Sequence, residues 1–348
     1  MKILHTADWH LDAPMEGDAG LRRELAGIPR KIAALCKNEG CDLMIIAGDL
    51  FDGLCSRQTL EEVMGVLEEL ALPVIITPGN HDFCGENSPY LTETWPENVH
   101  IFTQPQITEL VLPELDCRIY GAGYTSMDCP GLLKGFRAQG PEQWQIGVLH
   151  GEVVAGSAYC PMTRAQIKET ELDYLALGHV HKGGSLQAGK TVCVWPGCPM
   201  GRGFDETGEK GVVITQLGGR STFVQLDTTR FYDEQVDADG DPAQALAAAL
   251  PALPTRDHYR ITLTGYSPAV QLDALTEAFP HVPNLTLRDE TIPQVDIWSS
   301  AGEDSLEGAF FQVLRESAQS TSQSLQHRAE LAARISRRLL DGQEVTLP

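Results

Sequence analysis

Five short apolar runs punctuate the first half of the chain, at residues 3–6, 43–47, 74–77, 146–149 and 174–177, and each gives way to Gly, Asp, Pro or His. Runs of this length with such endings read as strands. Between them, residues 21–36 and 59–70 carry apolar side chains at helical spacing, which predicts α/β units. Later runs at 117–120, 192–195, 212–217 and 222–226 lack clear intervening helices and predict a more antiparallel section. The expected architecture of residues 1–230 is a mixed sandwich with helices on the outside.

The pattern then changes. The stretch DADGDPAQALAAALPALPTRD, residues 237–257, mixes acidic residues, Pro and Ala. It predicts a linker, placed at 231–255, with one short helix. Residues 256–303 read as a small α+β unit, with a strand at 260–264, a helix at 269–279 and a strand at 284–288. From 304 to 348 the chain turns helical: Leu306, Ala309, Phe310, Val313 and Leu314 form an apolar stripe at i, i+3, i+4, i+7 and i+8. The polar stretch SAQSTSQS, 317–324, is either an interruption or an exposed helix face. A second helical stretch at 325–340 sets Leu325, Ala332, Ile335 and Leu339 near one side, among Arg328, Arg334, Arg337 and Arg338. No internal repeat is visible.

Composition sets the limits of function. With 348 residues, 42% of them hydrophobic, the chain can bury a sizeable core as one large domain and a smaller one. No run approaches the roughly 18 apolar residues of a membrane span, and MKILHTADWH enters a strand with no signal-peptide pattern, so a cytoplasmic protein is expected. Nine cysteines without a CxxC pair predict reduced, buried thiols, although Cys84 and Cys198 lie near motif loops. A net charge of −22 argues against loose electrostatic binding of nucleic acid. Residues 1–230 hold 18 basic and 30 acidic side chains, 231–320 hold 4 and 15, and 321–348 hold 4 and 3.

The chemistry lies in five strings that follow the strand-like runs: ADWH, AGDLFD, PGNHD, LHGE and LGHVH. Asp8 and His10 leave an extended segment on one face, where a carboxylate and an imidazole can share an ion. Asp49 either bridges two ions or caps a turn. Asn80 offers a neutral carbonyl, Gly79 permits a tight turn, and His81 can stay off the metal and face substrate. His150 adds a nitrogen, and His179 and His181 alternate again. The donor set Asp8, His10, Asp49, Asn80, His150, His179 and His181 contains oxygen and nitrogen but no thiolate, which favours Mn, Fe or Zn over a structural cysteine site.

These strings resemble the calcineurin-like metallophosphoesterase superfamily, whose motifs D-x-H, GD-x-x-D, GNH-D/E, H and GH-x-H occur here in order over residues 1 to about 225. The resemblance implies a four-layer αββα sandwich and two divalent ions, Asp8, His10, Asp49 and His181 holding one and Asp49, Asn80, His150 and His179 the other. It implies that His81 is the catalytic histidine and Asp52 the carboxylate that orients it. The opening LHTADWHLDAP, the AGDLFD string and WPGCPMGRGFDETGEKGVVI look like the SbcD/YhaO-like branch of DNA repair exonuclease subunits. That branch implies a Mn-dependent DNA exonuclease or endonuclease, with 256–303 as a capping domain and 304–348 docking a coiled-coil, SMC-like ATPase of the SbcC type. The helices would otherwise pack on the chain's own core. A second copy of the chain is a further candidate partner.

Departures from the family pattern are Cys198 in the PGxP turn, a short chain and an acidic surface. Arg202 is a candidate substrate-phosphate contact, with an ion pair as its alternative. Two other functional readings stand beside the nuclease: a phosphodiesterase or phosphatase for a small molecule or phosphoprotein, and a noncatalytic regulator of an ATPase. Gly53, where a GD-x-x-D-R motif would place arginine, disfavours the Ser/Thr phosphatase branch, and the complete ligand set disfavours the regulator.

Overall fold

The computed structural model describes residues 1–268, 270–293 and 296–342. Ala269 of the expected helix, residues 294 and 295 of the expected cap and residues 343–348 of the C-terminal segment lie outside the described residues.

Strands β1 (Lys2–Thr6), β2 (Leu43–Ala47), β3 (Val74–Thr77) and β4 (Val99–Ile101) pair in parallel. A second sheet is built from β5 (Thr108–Leu112), β6 (Cys117–Gly121), β7 (Trp144–His150), β8 (Tyr174–Gly178), β9 (Gly184–Ala188) and β10 (Thr191–Trp195), in the order β5-β6-β7-β8-β10-β9. Its four inner strands are parallel and its two edges antiparallel. The chain then returns to the first sheet, where β11 (Gly211–Gln216) and β12 (Ser221–Gln225) complete the order β12-β11-β1-β2-β3-β4. The expected antiparallel section is therefore mixed: β11 and β12 are antiparallel, whereas β6 and β10 run parallel to their inner neighbours.

Alternation along the strands makes the layers, because successive side chains face opposite sides of a sheet. Ile3, Leu43, Ile45 and Ile75 pack with Ile119, Ile146, Val148 and Ala176 in the core between the sheets. Leu4, Met44, Ile46 and Ile76 face the other way, onto α1 (Ala19–Ala26), α2 (Ile28–Asn38) and α3 (Arg57–Glu68). The outer face of the second sheet, with Leu149, Leu175 and Leu177, is covered by α5 (Arg164–Glu169) and loop residues such as Tyr124, Leu133 and Met162; the short α4 (Pro89–Thr92) follows β3. This is the mixed α/β sandwich that the sequence predicts. The helix expected at 21–36 is two, because Gly27 ends α1 and caps α2, which carries Pro29 in its first turn.

Contacts divide the chain into two units. One comprises Met1–Glu234, Leu253–Ile261 and Phe279–Thr286; the other holds 235–252, 262–278 and the described residues from 287 onward. Residues 231–255 contain β13 (Phe231–Asp237) and α6 (Pro242–Ala249). A three-stranded sheet runs β13-β14-β16, with β14 at His258–Thr264 and β16 at Asn284–Asp289, while β15 (Tyr266–Ser267) pairs with β17 (Ile292–Pro293) and α7 spans Leu272–Glu277. Helices α8 (Leu306–Ala318) and α9 (Gln323–Leu340) form a hairpin, so the polar stretch 317–324 is an interruption. Phe311 is buried in this unit, whereas Leu306, Phe310 and Val313 of the predicted stripe are exposed. Among the described residues no helix is long and apolar enough to cross a membrane.

Candidate metal centre

Every string that the sequence singles out lies at the C-terminal end of a parallel strand: Asp8 and His10 after β1, Asp49 and Asp52 after β2, Asn80 and His81 after β3, His150 at the end of β7, and His179 and His181 after β8. Strand ends hold side chains rigidly while the loops beyond stay open to substrate. Backbone bonds tie the first two loops together: the amides of Asp8, His10 and Leu11 donate to the carbonyls of Gly48, Asp49 and Leu50, each at 3.0 Å. A third loop is latched by Asp82. Its Oδ2 accepts from the amides of Leu50 (2.7 Å) and Phe51 (3.1 Å) and from Tyr90 Oη (2.6 Å), and its Oδ1 accepts from the Gly79 amide (2.7 Å).

The alternation of ligands predicts extended segments, but the segments are not extended. Asp8, His10, Asp49 and His179 have φ of 55°, 47°, 51° and 85°, a region that non-glycine residues rarely occupy and that clusters at functional sites. Glycine is required where the loops crowd together. A Cβ on Gly48 would run into the His150 ring, and one on Gly79 into the Asp49 carboxylate.

The side chains converge from both sheets. Asp49 Oδ2 lies 3.6 Å from His10 Nε2 and 3.3 Å from His150 Nε2. His10 Nε2 faces His181 Nε2 at 3.2 Å, and Asp8 Oδ1 is 3.9 Å from both His150 Nδ1 and His181 Nε2. Asn80 Oδ1 sits 3.0 Å from His150 Nε2 and 3.2 Å from His179 Nδ1. His81 stands beside this cluster and is half-exposed: its amide donates to Asp49 Oδ1 at 2.9 Å and its Nδ1 is 3.0 Å from Asp52 Oδ1. All eight residues, with Asp52, thus form one connected constellation.

Three observations fit divalent cations to it. First, Asp8 Oδ2 is buried and has no hydrogen-bond partner, a costly state for a carboxylate unless a cation meets it. Second, His150 Nδ1 lies 2.9 Å from the Ala47 carbonyl and so carries the hydrogen, leaving an Nε2 lone pair that faces the oxygens of Asn80 and Asp49. Lone pairs facing one another need a cation or a proton between them. Third, Asp8, His10, Asp49 and His181 bring one donor atom each to within 4.8 Å of the others.

The electrostatics follow the same logic. Burial would depress His150, but the Asp49 carboxylate outweighs it and pushes the imidazole up to about 10: without a metal, a proton takes its place. Burial works to raise Asp49, yet His150 and His10 hold it well below the usual carboxylate range. Asp52 is likewise held low, by its hydrogen bonds with His10 and His81. That bond to Asp52 raises His81, which favours the protonated imidazole. His179 is pushed down to about 4 by burial and the nearby His150, leaving it neutral and free to ligate.

Arg202 takes up the ion-pair alternative. Its Nη2 donates to Glu206 Oε1 at 2.6 Å, its Nε bonds to both Glu206 oxygens at 3.1 and 3.3 Å, and its Nη1 is 3.6 Å from Asp52 Oδ1. Sequence reasoning missed Glu206, Asp82 and the Ala47 carbonyl. Glu206 lies inside the string GRGFDETGEKG, and only the fold brings it to 2.6 Å from His181 Nδ1. Asp82 is visible in GNHD but carries no sign of its loop-latching role. All nine cysteines are free. Burial raises the Cys84 thiol to about 11 and, with Glu206 adding to the effect, Cys198 to about 12, so both stay protonated and inert at neutral pH.

Residues 1–183 of the 348 match the calcineurin-like phosphoesterase family. The uncharacterized metallophosphoesterase YhaO of Bacillus subtilis is 30% identical over 237 residues, covering 62% of this chain and 57% of the relative. The SbcD component of the nuclease SbcCD, from the same species, is 24% identical over 259 residues, covering 62% of this chain and 66% of the relative. The chain therefore spans less than two thirds of either relative. Among solved structures, a dimetal phosphatase from Danio rerio aligns over 62% of this chain and 91% of its own, at 15% identity and a TM-score of 0.42. Family match and convergent donor set agree: the chain belongs to the calcineurin-like phosphoesterases, with a candidate metal centre at the strand ends of its sandwich.

Proposed function

We propose that the chain is a two-metal phosphodiesterase that cleaves DNA as the nuclease subunit of an ATPase-coupled repair complex in the cytoplasm. The observation that carries the hydrolytic part is the convergence of Asp8, His10, Asp49, Asn80, His150, His179 and His181 on buried lone pairs that only cations or protons can satisfy. Two bound ions about 3.5–4 Å apart would activate a water and clamp the phosphoryl oxygens of an in-line attack. Asp49 Oδ2, 3.6 Å from His10 Nε2 and 3.3 Å from His150 Nε2, supports the reading of Asp49 as the ligand that the two ions would share. Mn suits the mixed oxygen and imidazole donors, as do Fe and Zn.

His81 does the chain's own proton work in this reading. Its Nδ1 is spent on Asp52, which orients the ring and favours the imidazolium, so Nε2 is left to donate to the leaving alkoxide. The DNA part is supported by the nuclease component among the relatives and by the flanking strings that resemble its branch. The exposed Leu306, Phe310 and Val313 on α8, with Leu339 and Leu340 on α9, support a docking role toward a coiled-coil ATPase. The net charge of −22 favours a second reading, a small phosphodiester substrate.

The test is hydrolysis by the Mn-loaded protein of linear double-stranded DNA, single-stranded DNA and bis-p-nitrophenyl phosphate, with and without a coiled-coil ATPase. The reading predicts cleavage of DNA and of the small diester, and a His81→Ala variant that keeps both ions but loses about 10²–10⁴-fold in turnover. Cleavage of the small diester alone would leave the second reading standing. A His81→Ala variant without metal would make His81 a ligand.

A further inference from the structure

We infer that Glu206 is a positioning residue for the metal ligand His181, and that Arg202 holds Glu206 and Asp52 together as the paired supports of the two histidines that face each other across the centre. The inference rests on the two-ion reading above and deepens it.

Glu206 is 5% exposed and has no oxygen to spare. Oε1 meets His181 Nδ1 at 2.6 Å and accepts from Arg202 Nη2 at 2.6 Å and Nε at 3.1 Å; Oε2 accepts from the Arg202 amide at 2.9 Å. A carboxylate only accepts, so His181 Nδ1 must carry the hydrogen and its Nε2 must present a lone pair. Arg202 Nη2 also lies 3.3 Å from His181 Nδ1 and would compete as a donor to it. The 2.6 Å contact to a carboxylate is the shorter and charge-assisted one, and it sets the tautomer. His10 repeats the arrangement: its Nδ1 is 3.0 Å from Asp52 Oδ1 and its Nε2 points at His181 Nε2, 3.2 Å away. Each histidine therefore has a carboxylate behind it and an open nitrogen in front, an arrangement that raises ligand basicity and fixes ring orientation. Arg202 touches both carboxylates, with Nη1 3.6 Å from Asp52.

Glu206 is not itself a ligand in this arrangement. His181, Cys198 and Glu206 cluster closely enough to hold an ion, but the Arg202 guanidinium occupies the carboxylate and would repel a cation there.

The experiment is calorimetric titration of Mn into the metal-free full chain and its Glu206→Ala, Glu206→Gln, Arg202→Met and Asp49→Asn variants. Melting of each metal-free form and KM for bis-p-nitrophenyl phosphate are recorded alongside. Glu206→Ala should weaken one of the two ions about 10–100-fold and leave the other near its wild-type affinity. Glu206→Gln, whose amide oxygen still accepts from Nδ1, should recover most of that loss. Arg202→Met should weaken the same ion less, at unchanged KM.

Wild-type affinity for both ions in Glu206→Ala would overturn the inference. So would equal weakening of both ions that tracks the metal-free melting temperature without rescue by Gln. A raised KM with unchanged metal affinity in Arg202→Met would make Arg202 a substrate contact. Should Glu206→Ala fail to fold, Glu206→Gln and Arg202→Met carry the test: wild-type affinity for both ions in the Arg202 variant overturns the inference. Asp49→Asn and the unaltered chain separate the two levels: a single ion in the unaltered chain would refute the two-ion reading itself, and wild-type affinity for both ions in Asp49→Asn would refute Asp49 as their shared ligand.

Discussion

His5 shows how the same sandwich treats a histidine that is not offered to a metal. It lies on β1 between the sheets, fully buried, with Nδ1 3.0 Å from Tyr174 Oη, and burial pushes it down to about 3. An unfolded chain protonates this histidine near pH 6.5, whereas the folded one does not until about pH 3. The unfolded state therefore gains protons first as pH falls, and His5 removes stability progressively below pH 6.5. Urea unfolding of the metal-free protein should lose about 2 kcal/mol from this residue between pH 7 and pH 5, at roughly 1.4 kcal/mol per pH unit. His5→Leu should be less sensitive to acid by that amount; an identical pH slope in the two proteins would contradict the assignment. In sequence, His5 stands three positions before Asp8 and nothing distinguishes it from a ligand except its place inside an apolar run. The ligands are legible because each follows such a run. Glu206 is not, because its role arises from a 2.6 Å approach to a residue 25 positions away.

The loops after β1, β2 and β3 act as one piece, and Asp82 is the residue that joins the second to the third. Asp82→Ala would leave three backbone amides and the Tyr90 hydroxyl without their acceptor in a buried place. At about 1–3 kcal/mol for each of these groups, a loss of at least about 4 kcal/mol in unfolding free energy is expected, with weaker Mn binding because Asp49 and Asn80 ride on the same loops. An unfolding free energy within about 1 kcal/mol of wild type would show that the latch is dispensable. The inner strands are readable from composition alone, since a strand covered on both faces is a continuous apolar run. An edge strand need not be: β12 is readable as the run 222–226, but β9, GSLQA, has one strongly apolar residue and becomes a strand only by pairing with β10. Likewise β13, FYDEQVD, is rich in acidic residues and largely solvated, so its sequence resembles a linker.

Across the molecule, charge and chemistry pull in different directions. A chain of net charge −22 gathers several of its carboxylates behind histidines and leaves Asp8 Oδ2 buried without a protein partner. Two bound ions would turn that concentration of negative charge into a focus for a phosphoester. The α8 stripe is legible as helical, but periodicity cannot say whether an apolar face meets the chain's own core or solvent; Leu306 at 91% exposure answers that only in the fold. Fold and family secure a metallophosphoesterase, while substrate choice rests on the site and its surroundings. The most direct measurement is anomalous diffraction at the Mn edge from crystals of the Mn-loaded protein. Two peaks about 3.5–4 Å apart are predicted, one among Asp8, His10, Asp49 and His181 and the other among Asp49, Asn80, His150 and His179. A single peak, or one seated between His10, Asp52 and His81, would contradict the account.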